Sequence, residues 1–240
     1  MAKTWISYGA ALRLVQAVVA CSPEDAAPTV PQSAESTPRD VASASRDGPL
    51  IVAFGDSLFA GYGLAQDEGL APVLDRALAK NGIEAEVVNA GVSGDTSAAG
   101  LQRLAFTLDG QPRRPDLVIV GLGGNDMLRG ISPEQTRQNL DSILAELKRR
   151  DVPAMLSGMV AAPNMGPDYA NAFNAIYGDL AKKYGIPLYP FTLDGVIGNG
   201  DLMLGDGLHP NARGVGVIAE RLAPVVKGEL GQSAASSATP

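Results

Sequence analysis

The chain has 240 residues, 45% of them apolar and 19% charged, with a single histidine, a single cysteine and a single tryptophan. His209 alone cannot supply a His-rich zinc or copper site, and Cys21 alone can form neither an internal disulfide nor a Cys₄ or iron–sulfur cage. Any metal would have to rest on carboxylates, and neither a metal nor another cofactor is expected. With 19 Lys and Arg against 26 Asp and Glu, the formal net charge is −7; this leaves no basic footprint for phosphates and excludes nucleic acid as an expected partner.

The first twenty residues carry Lys3 and Arg13 but no acid, followed by an apolar stretch from Leu14 to Ala20 that Gln16 interrupts. The stretch is too short to span a bilayer, and residues 1–21 read as an export signal. Val18-Val19-Ala20-Cys21 resembles the lipobox of bacterial lipoproteins, in which a peptidase cuts before a cysteine that carries diacylglycerol. The residues alone leave open a free cysteine or a plain Ala-type cleavage site. The resemblance implies lipidation of Cys21 and a periplasmic or membrane-anchored protein whose membrane contact runs through that anchor. By the same analogy, Ser22 favours the outer membrane. Residues 22–48 are rich in Pro, Ser, Ala, Thr and acids with almost no large apolar side chain, so they read as a disordered tether. A flexible tail of similar character is expected over 231–240, leaving one folded unit over 49–230, with a monomer as the default state.

Within that unit, the apolar runs Leu50 to Phe54, Ala85 to Asn89, Asp116 to Leu122, Ala154 to Met159 and Pro187 to Phe191 predict five buried strands. Between them Leu70, Val73, Leu74, Ala77 and Leu78 recur at helical spacing, as do Leu140, Ile143, Leu144 and Leu147. The second of these helices has a readable start, with Ser132 as N-cap, Pro133 at the first position and Gln135 completing a capping-box pattern. Alternating strand and helix predicts an α/β fold, a parallel sheet with helices on both faces, and in such sheets the active crevice lies at the carboxyl ends of the strands.

At the end of the first strand the chain reads Ile51-Val52-Ala53-Phe54-Gly55-Asp56-Ser57-Leu58, then Gly61-Tyr62-Gly63. A serine hydroxyl becomes a nucleophile only beside a base, and the sole histidine lies in Gly205-Asp206-Gly207-Leu208-His209-Pro210-Asn211. Asp206 could fold back through the Gly-containing turn onto one imidazole nitrogen, leaving the other for Ser57. A structural histidine is the competing reading of His209 alone.

Gly55-Asp56-Ser57-Leu58 resembles the first block of the GDSL, or SGNH, hydrolase family, named for Ser, Gly, Asn and His in four blocks. Asn89-Ala90-Gly91-Val92-Ser93-Gly94-Asp95-Thr96 is similar to the block that supplies the glycine, Gly123-Gly124-Asn125-Asp126 to the asparagine block, and Asp206 to His209 to the last. Gly94 to Ser97, Leu101-Gln102-Arg103-Leu104 and Leu128-Arg129-Gly130 extend the likeness to the bacterial thioesterase I, lysophospholipase and arylesterase branch. The resemblance implies a three-layer α/β/α, flavodoxin-like fold and a serine hydrolase of carboxylic esters or thioesters, taking a small acyl substrate. Ser57, Asp206 and His209 would then be catalytic. The oxyanion donors would be the backbone N–H of Ser57, the backbone N–H of Gly94 and the side-chain amide of Asn125. In that branch the loop after the fourth strand shapes the acyl site, which singles out the apolar stretch Met159, Val160, Ala161, Ala162, Pro163 and Asn164. Asp56, Asp95 and Asp126 read as organisers of the loops, since carboxylates aimed at an oxyanion would repel it.

Competing readings are a non-catalytic ligand-binding lipoprotein on the same fold, an acetylesterase of acetylated sugars, a glycosidase carboxylate pair, and a nucleotide binder. No Gly-x-x-x-x-Gly-Lys-Ser/Thr loop supports the last, and no Gly-x-Ser-x-Gly supports an α/β-hydrolase.

Overall fold

The computed structural model describes residues 48–237; the leader over 1–21, Cys21 included, and the tether over 22–47 lie outside the described residues. Strands β1 (Leu50–Gly55), β2 (Glu86–Gly91), β3 (Leu117–Gly121), β4 (Ala154–Ser157) and β5 (Leu188–Tyr189) form one parallel sheet of five in the order β2-β1-β3-β4-β5. The helices are α1 (Ser57–Ala60), α2 (Leu70–Lys80), α3 (Ser97–Asp109), α4 (Gly124–Leu128), α5 (Pro133–Arg149), α6 (Pro167–Tyr184) and α7 (Ala212–Ser237). The α/β architecture is the one the alternating pattern predicts.

The unbroken apolar runs of β1 and β3 follow from burial on both faces. Ile51 and Ala53 join Leu74, Leu78, Ile218 and Leu222 under α2 and α7, while Val52 and Phe54 join Leu104, Leu140, Ile143 and Phe173 under α3, α5 and α6. The chain passes from β1 outward to β2 and returns to the other side of β1 as β3. Connections on either side of that reversal diverge, so a crevice opens at the carboxyl ends of β1 and β3.

Three local readings change. Ser132 caps α5 by accepting from the Gln135 N–H at 3.3 Å, but the Gln135 side chain donates to Asn139 Oδ1 at 3.2 Å instead of reaching back, so only half of the capping box forms. Strand β5 is two residues long because Pro187 and Pro190, which lack backbone donors, flank it. Helix α7 continues to Ser237, into the stretch that composition assigns to a tail.

The sequence pattern also misses two short helices, α1 and α4, each starting directly after a strand. Helix α1 sits on the strand ends because three glycines make room for it. A Cβ on Gly55 would come within 2.5 Å of Phe59 Cγ, one on Gly121 within 2.0 Å of Phe59 Cε2, and one on Gly91 within 2.2 Å of the Ala60 nitrogen. The last is a backbone clash that no rotamer change relieves. Gly91→Ala should therefore cost about 1–3 kcal/mol of stability by overpacking, read as a lower urea midpoint. An unchanged midpoint would mean that α1 can shift freely on the sheet.

Candidate active site

Ser57 is the first residue of α1, immediately beyond the carboxyl end of β1. Asp56 caps the helix by accepting from the Leu58 N–H at 3.1 Å, and the left-handed Gly61 (φ 79°) ends it. His209 lies ahead of α7, at the end of a tight loop in which Gly207 adopts φ 66°, the Gly207 N–H donates to the Leu204 carbonyl at 3.0 Å and the Leu204 N–H donates to the His209 carbonyl at 2.8 Å. The loop folds Asp206 back as its glycines suggest. Asp206 Oδ1 accepts from the backbone N–H groups of Leu208 (2.9 Å) and His209 (3.0 Å), and Oδ2 is 2.7 Å from His209 Nδ1. The other ring nitrogen, Nε2, is 2.8 Å from Ser57 Oγ. A carboxylate only accepts, so Nδ1 carries the proton and Nε2 is left to receive one from Ser57. The backbone N–H of His209, then its ring, then the Leu208 N–H hold the Asp206 carboxyl down to about 2. Asp206 is thus ionised wherever the imidazole could act as a base.

The three expected oxyanion donors lie at the ends of successive central and edge strands. Ser57 follows β1, Gly94 follows β2 and Asn125 lies in α4 beyond β3. Gly94 has φ 87°, a conformation that a side chain would strain. Asn125 Nδ2 donates to the Asp95 carbonyl at 2.9 Å, which fixes the amide against the Gly94 loop while one N–H remains. The backbone N–H groups of Ser57 and Gly94 have no acceptor among the described residues.

The three aspartates do organise the loops. Asp126, fully buried, accepts from the Ser97 N–H at 2.7 Å, from the Ser97 hydroxyl, and from Thr136 Oγ1 at 3.3 Å, holding Asn125 beside it. Asp95 Oδ2 accepts from Arg103 Nε at 2.6 Å.

Within the loop after β4, Met159 is half-buried and Val160 exposed; the former's Cε would lie 3.4 Å from a Cβ on Gly124. Ala161 and Ala162 are anchoring positions. The Ala161 N–H donates to Asn174 Oδ1 at 2.8 Å, and the Ala162 N–H to Met127 Sδ at 3.1 Å. Pro163 and Asn164 enter a short 3₁₀ turn (Pro163–Met165) and face solvent. Among the described residues no cluster of His, Cys, Asp or Glu is disposed to hold a metal ion.

Residues 53–217 match the model of the GDSL-like lipase/acylhydrolase family. The chain belongs to that family. It is 40% identical over 177 residues to the esterase TesA of Pseudomonas aeruginosa, covering 74% of this chain and 87% of that protein. It is likewise 40% identical over 181 residues to the thioesterase 1/protease 1/lysophospholipase L1 of Escherichia coli, covering 75% of this chain and 84% of that one. The crystal structure of AlinE4, an SGNH-hydrolase family esterase, matches with 51% identity and a TM-score of 0.66, covering 76% of this chain and 97% of that one.

Two arginines of this GDSL-family chain, present in the motif segments but given no role by sequence reasoning, brace the site. Arg103 donates through Nη1 to the Ala90 carbonyl (2.9 Å) and through Nη2 to the Gly55 carbonyl (2.9 Å), besides Asp95, and its guanidinium lies 4.2 Å from the Phe54 ring centroid. It ties together the ends of β1 and β2. Arg129 Nη2 donates to the Gly94 carbonyl at 2.7 Å and fixes the following peptide. The only advance signal was an arginine in each of two family-like segments, and their partners are backbone carbonyls that no side-chain pattern encodes.

Asp56 is 3% exposed, and burial pushes its carboxyl up to about 6, with the Leu58 N–H and the His209 ring pulling down and Asp126 and Asp95 pushing up. The folded protein therefore holds this proton more tightly than the unfolded chain, so the group removes stability as pH rises from about 4 to about 7, by about 3 kcal/mol. Asp56→Asn keeps a capping oxygen without the charge. Urea unfolding at a series of pH values should show the variant gaining about 3 kcal/mol on the parent over that range; parallel pH–stability curves would contradict it.

Proposed function

We propose that this chain is a serine esterase that cleaves carboxylic esters or thioesters of small acyl groups through an acyl-Ser57 intermediate. The observation that carries the reading is the unbroken hydrogen-bond line from Asp206 through His209 to Ser57. Ser57 Oγ attacks the acyl carbonyl while His209 Nε2 takes its proton, and Asp206 holds the ring in that tautomer and stabilises the imidazolium. The carbonyl oxygen, now an oxyanion, is met by the N–H groups of Ser57 and Gly94 and the Asn125 amide. These donors are fixed before reaction and so need no reorganisation at the transition state. Collapse expels the alkoxide or thiolate, which takes the proton from His209. A water then attacks the acyl-serine with His209 again as base, releasing the acid and restoring Ser57. The names of the relatives, esterase and thioesterase 1/lysophospholipase L1, support acyl substrates of this range. The exposed Val160 (42%), Leu128 (56%) and Leu208 (47%), all in segments at this end of the sheet, support an apolar acyl or aryl portion.

We also propose that residues 1–21 export the chain to the envelope and that Cys21 is its lipid anchor, supported by the lipobox-like Val18-Val19-Ala20-Cys21. Metabolic [³H]palmitate labelling that persists in Cys21→Ala, or is absent from the parent, would remove the anchor.

Ser57→Ala should abolish hydrolysis of p-nitrophenyl esters and labelling by a fluorophosphonate probe with the fold intact, and retained turnover would overturn the reading. Asn125→Ala should lower kcat by about 10² with a smaller change in KM, because its bond tightens as charge develops on the oxygen. A pure KM effect would assign Asn125 to ground-state binding instead.

A further inference from the structure

Tyr62 has no part in the reaction scheme above, yet its ring centroid lies 4.3 Å from that of His209 with the planes tilted by 33°. The chain is built to hold it there. Gly61 and Gly63, on either side, are both left-handed, at φ 79° and 73°. A Cβ on Gly61 would come within 3.1 Å of Gly69 Cα, and one on Gly63 within 2.8 Å of Leu204 Cδ1. Backbone bonds close both turns, the Tyr62 N–H donating to the Ser57 carbonyl at 3.2 Å and the Leu64 N–H to the Gly61 carbonyl at 3.1 Å. Leu204 in turn donates its N–H to the carbonyl of His209 at 2.8 Å. The segment behind the nucleophile and the segment carrying the base therefore meet twice, at Gly63 against Leu204 and at Tyr62 against the imidazole.

Core packing does not account for the aromatic ring, because Tyr62 is 52% exposed. Its hydroxyl makes no hydrogen bond among the described residues, so the ring and not the phenol oxygen is what the position uses. Among the described residues, three polar or charged groups act on the imidazole. Asp206 touches Nδ1, the Ser57 hydroxyl touches Nε2, and Asp56 acts on the ring electrostatically from behind the nucleophile. Tyr62 supplies an uncharged aromatic surface against the ring.

We propose that Tyr62 is a positioning residue for the His209 base: its ring holds the imidazole at Ser57 and its π-face stabilises the imidazolium that forms as Ser57 gives up its proton. Aromatic faces attract cations. An imidazole freed of this contact would both swing more widely and accept the serine proton less readily. The inference rests on the assignment of Ser57 and His209 as nucleophile and base.

The test compares Tyr62→Phe, which keeps the ring, with Tyr62→Leu, which keeps apolar bulk without a π-face, on a neutral p-nitrophenyl ester. In each variant kcat, KM and the pH dependence of kcat/KM are measured, with thermal unfolding to confirm the fold. Tyr62→Phe should stay within about twofold of the parent. Tyr62→Leu should lose about threefold to fivefold in kcat with little change in KM, and the acid limb of its kcat/KM profile should move about half a unit to lower pH, because the cationic ring has lost its support. A loss confined to KM would make Tyr62 a substrate contact and overturn the proposal, as would a Tyr62→Leu profile that superimposes on the parent or an equal loss in Tyr62→Phe. An inactive Ser57→Ala beside an unaffected Tyr62→Leu would refute this inference alone, whereas an active Ser57→Ala would remove the assignment beneath it.

Discussion

A hydrogen bond between side chains 152 residues apart, Ser57 Oγ to His209 Nε2, is the contact on which the rest of the structure depends. Its two ends are set by different parts of the fold. Ser57 is delivered by β1, buried on both faces, and His209 by the loop leading into α7. They meet because α7 packs beside α2 on one face of the sheet, where Leu74 and Leu78 share a core with Ile218, Leu222 and Val226. A shift of about 1 Å between those layers would lose the contact, and rates fall steeply with misplacement on that scale. The α2–α7 core thus holds the Ser57–His209 contact in register.

Holding the loops demands a second kind of interaction, because backbone at the strand ends has left the sheet and its polar groups need new partners. Charged side chains meet that demand here. Arg103 takes the carbonyls at the ends of β1 and β2, Asp126 takes the first N–H of α3, and Asp56 takes an N–H of α1. These contacts join segments 29 to 48 residues apart for Ser97–Asp126 and Gly55–Arg103, so they fix one loop against another and not only within itself. The cost is visible at Asp56. Its carboxyl is buried among Asp126 and Asp95 as well as beside the nucleophile, and it is pushed up to about 6. Neutralising it would relieve the fold, which makes the retained acid a local stability cost at a site placed for chemistry.

Much of the fold was legible because burial leaves its mark on composition. The core of β1, β3 and β4 is apolar on both faces, so Leu50 to Phe54, Leu117 to Val120 and Ala154 to Leu156 stand out as runs. The Asp206–His209–Ser57 line was legible for a different reason: the family-like blocks at Gly55 to Leu58 and Asp206 to His209 marked both ends, and a single histidine left one base to place. What escaped was whatever depends on backbone geometry. Helix α4 begins after Gly123 at φ 112°, and the pattern Gly-Gly-Asn-Asp gives no helical period to detect. Gln135 fits a capping box by type and spacing, yet Asn139 lies one turn along as a competing acceptor. Arg103 and Arg129 were visible as residues but their partners are carbonyls, whose positions exist only once the loops have folded.

The surface shows the same division of labour between the two ends of the sheet. Among the described residues seven large hydrophobic side chains are exposed, and Tyr62, Val92, Leu128, Val160, Ile197 and Leu208 all lie in segments that follow the carboxyl ends of strands; Phe106, on α3, is the exception. Folding gains nothing from leaving these groups in water, and scattered singles need no explanation, but gathering at one pole does. Each lies in a segment that follows a different strand or flanks His209, at the end of the sheet where Ser57 follows β1. In the proposed reaction an apolar acyl or aryl group would exchange water for Leu128, Val160 and Leu208, whereas the Tyr62 ring is held against His209. The three aspartates of the family-like blocks are engaged within the loops, Asp56 at a helix end, Asp95 with Arg103 and Asp126 with Ser97 and Thr136. That leaves the N–H groups of Ser57 and Gly94, which have no acceptor among the described residues, and one N–H of Asn125 for the oxyanion that the proposed reaction would develop.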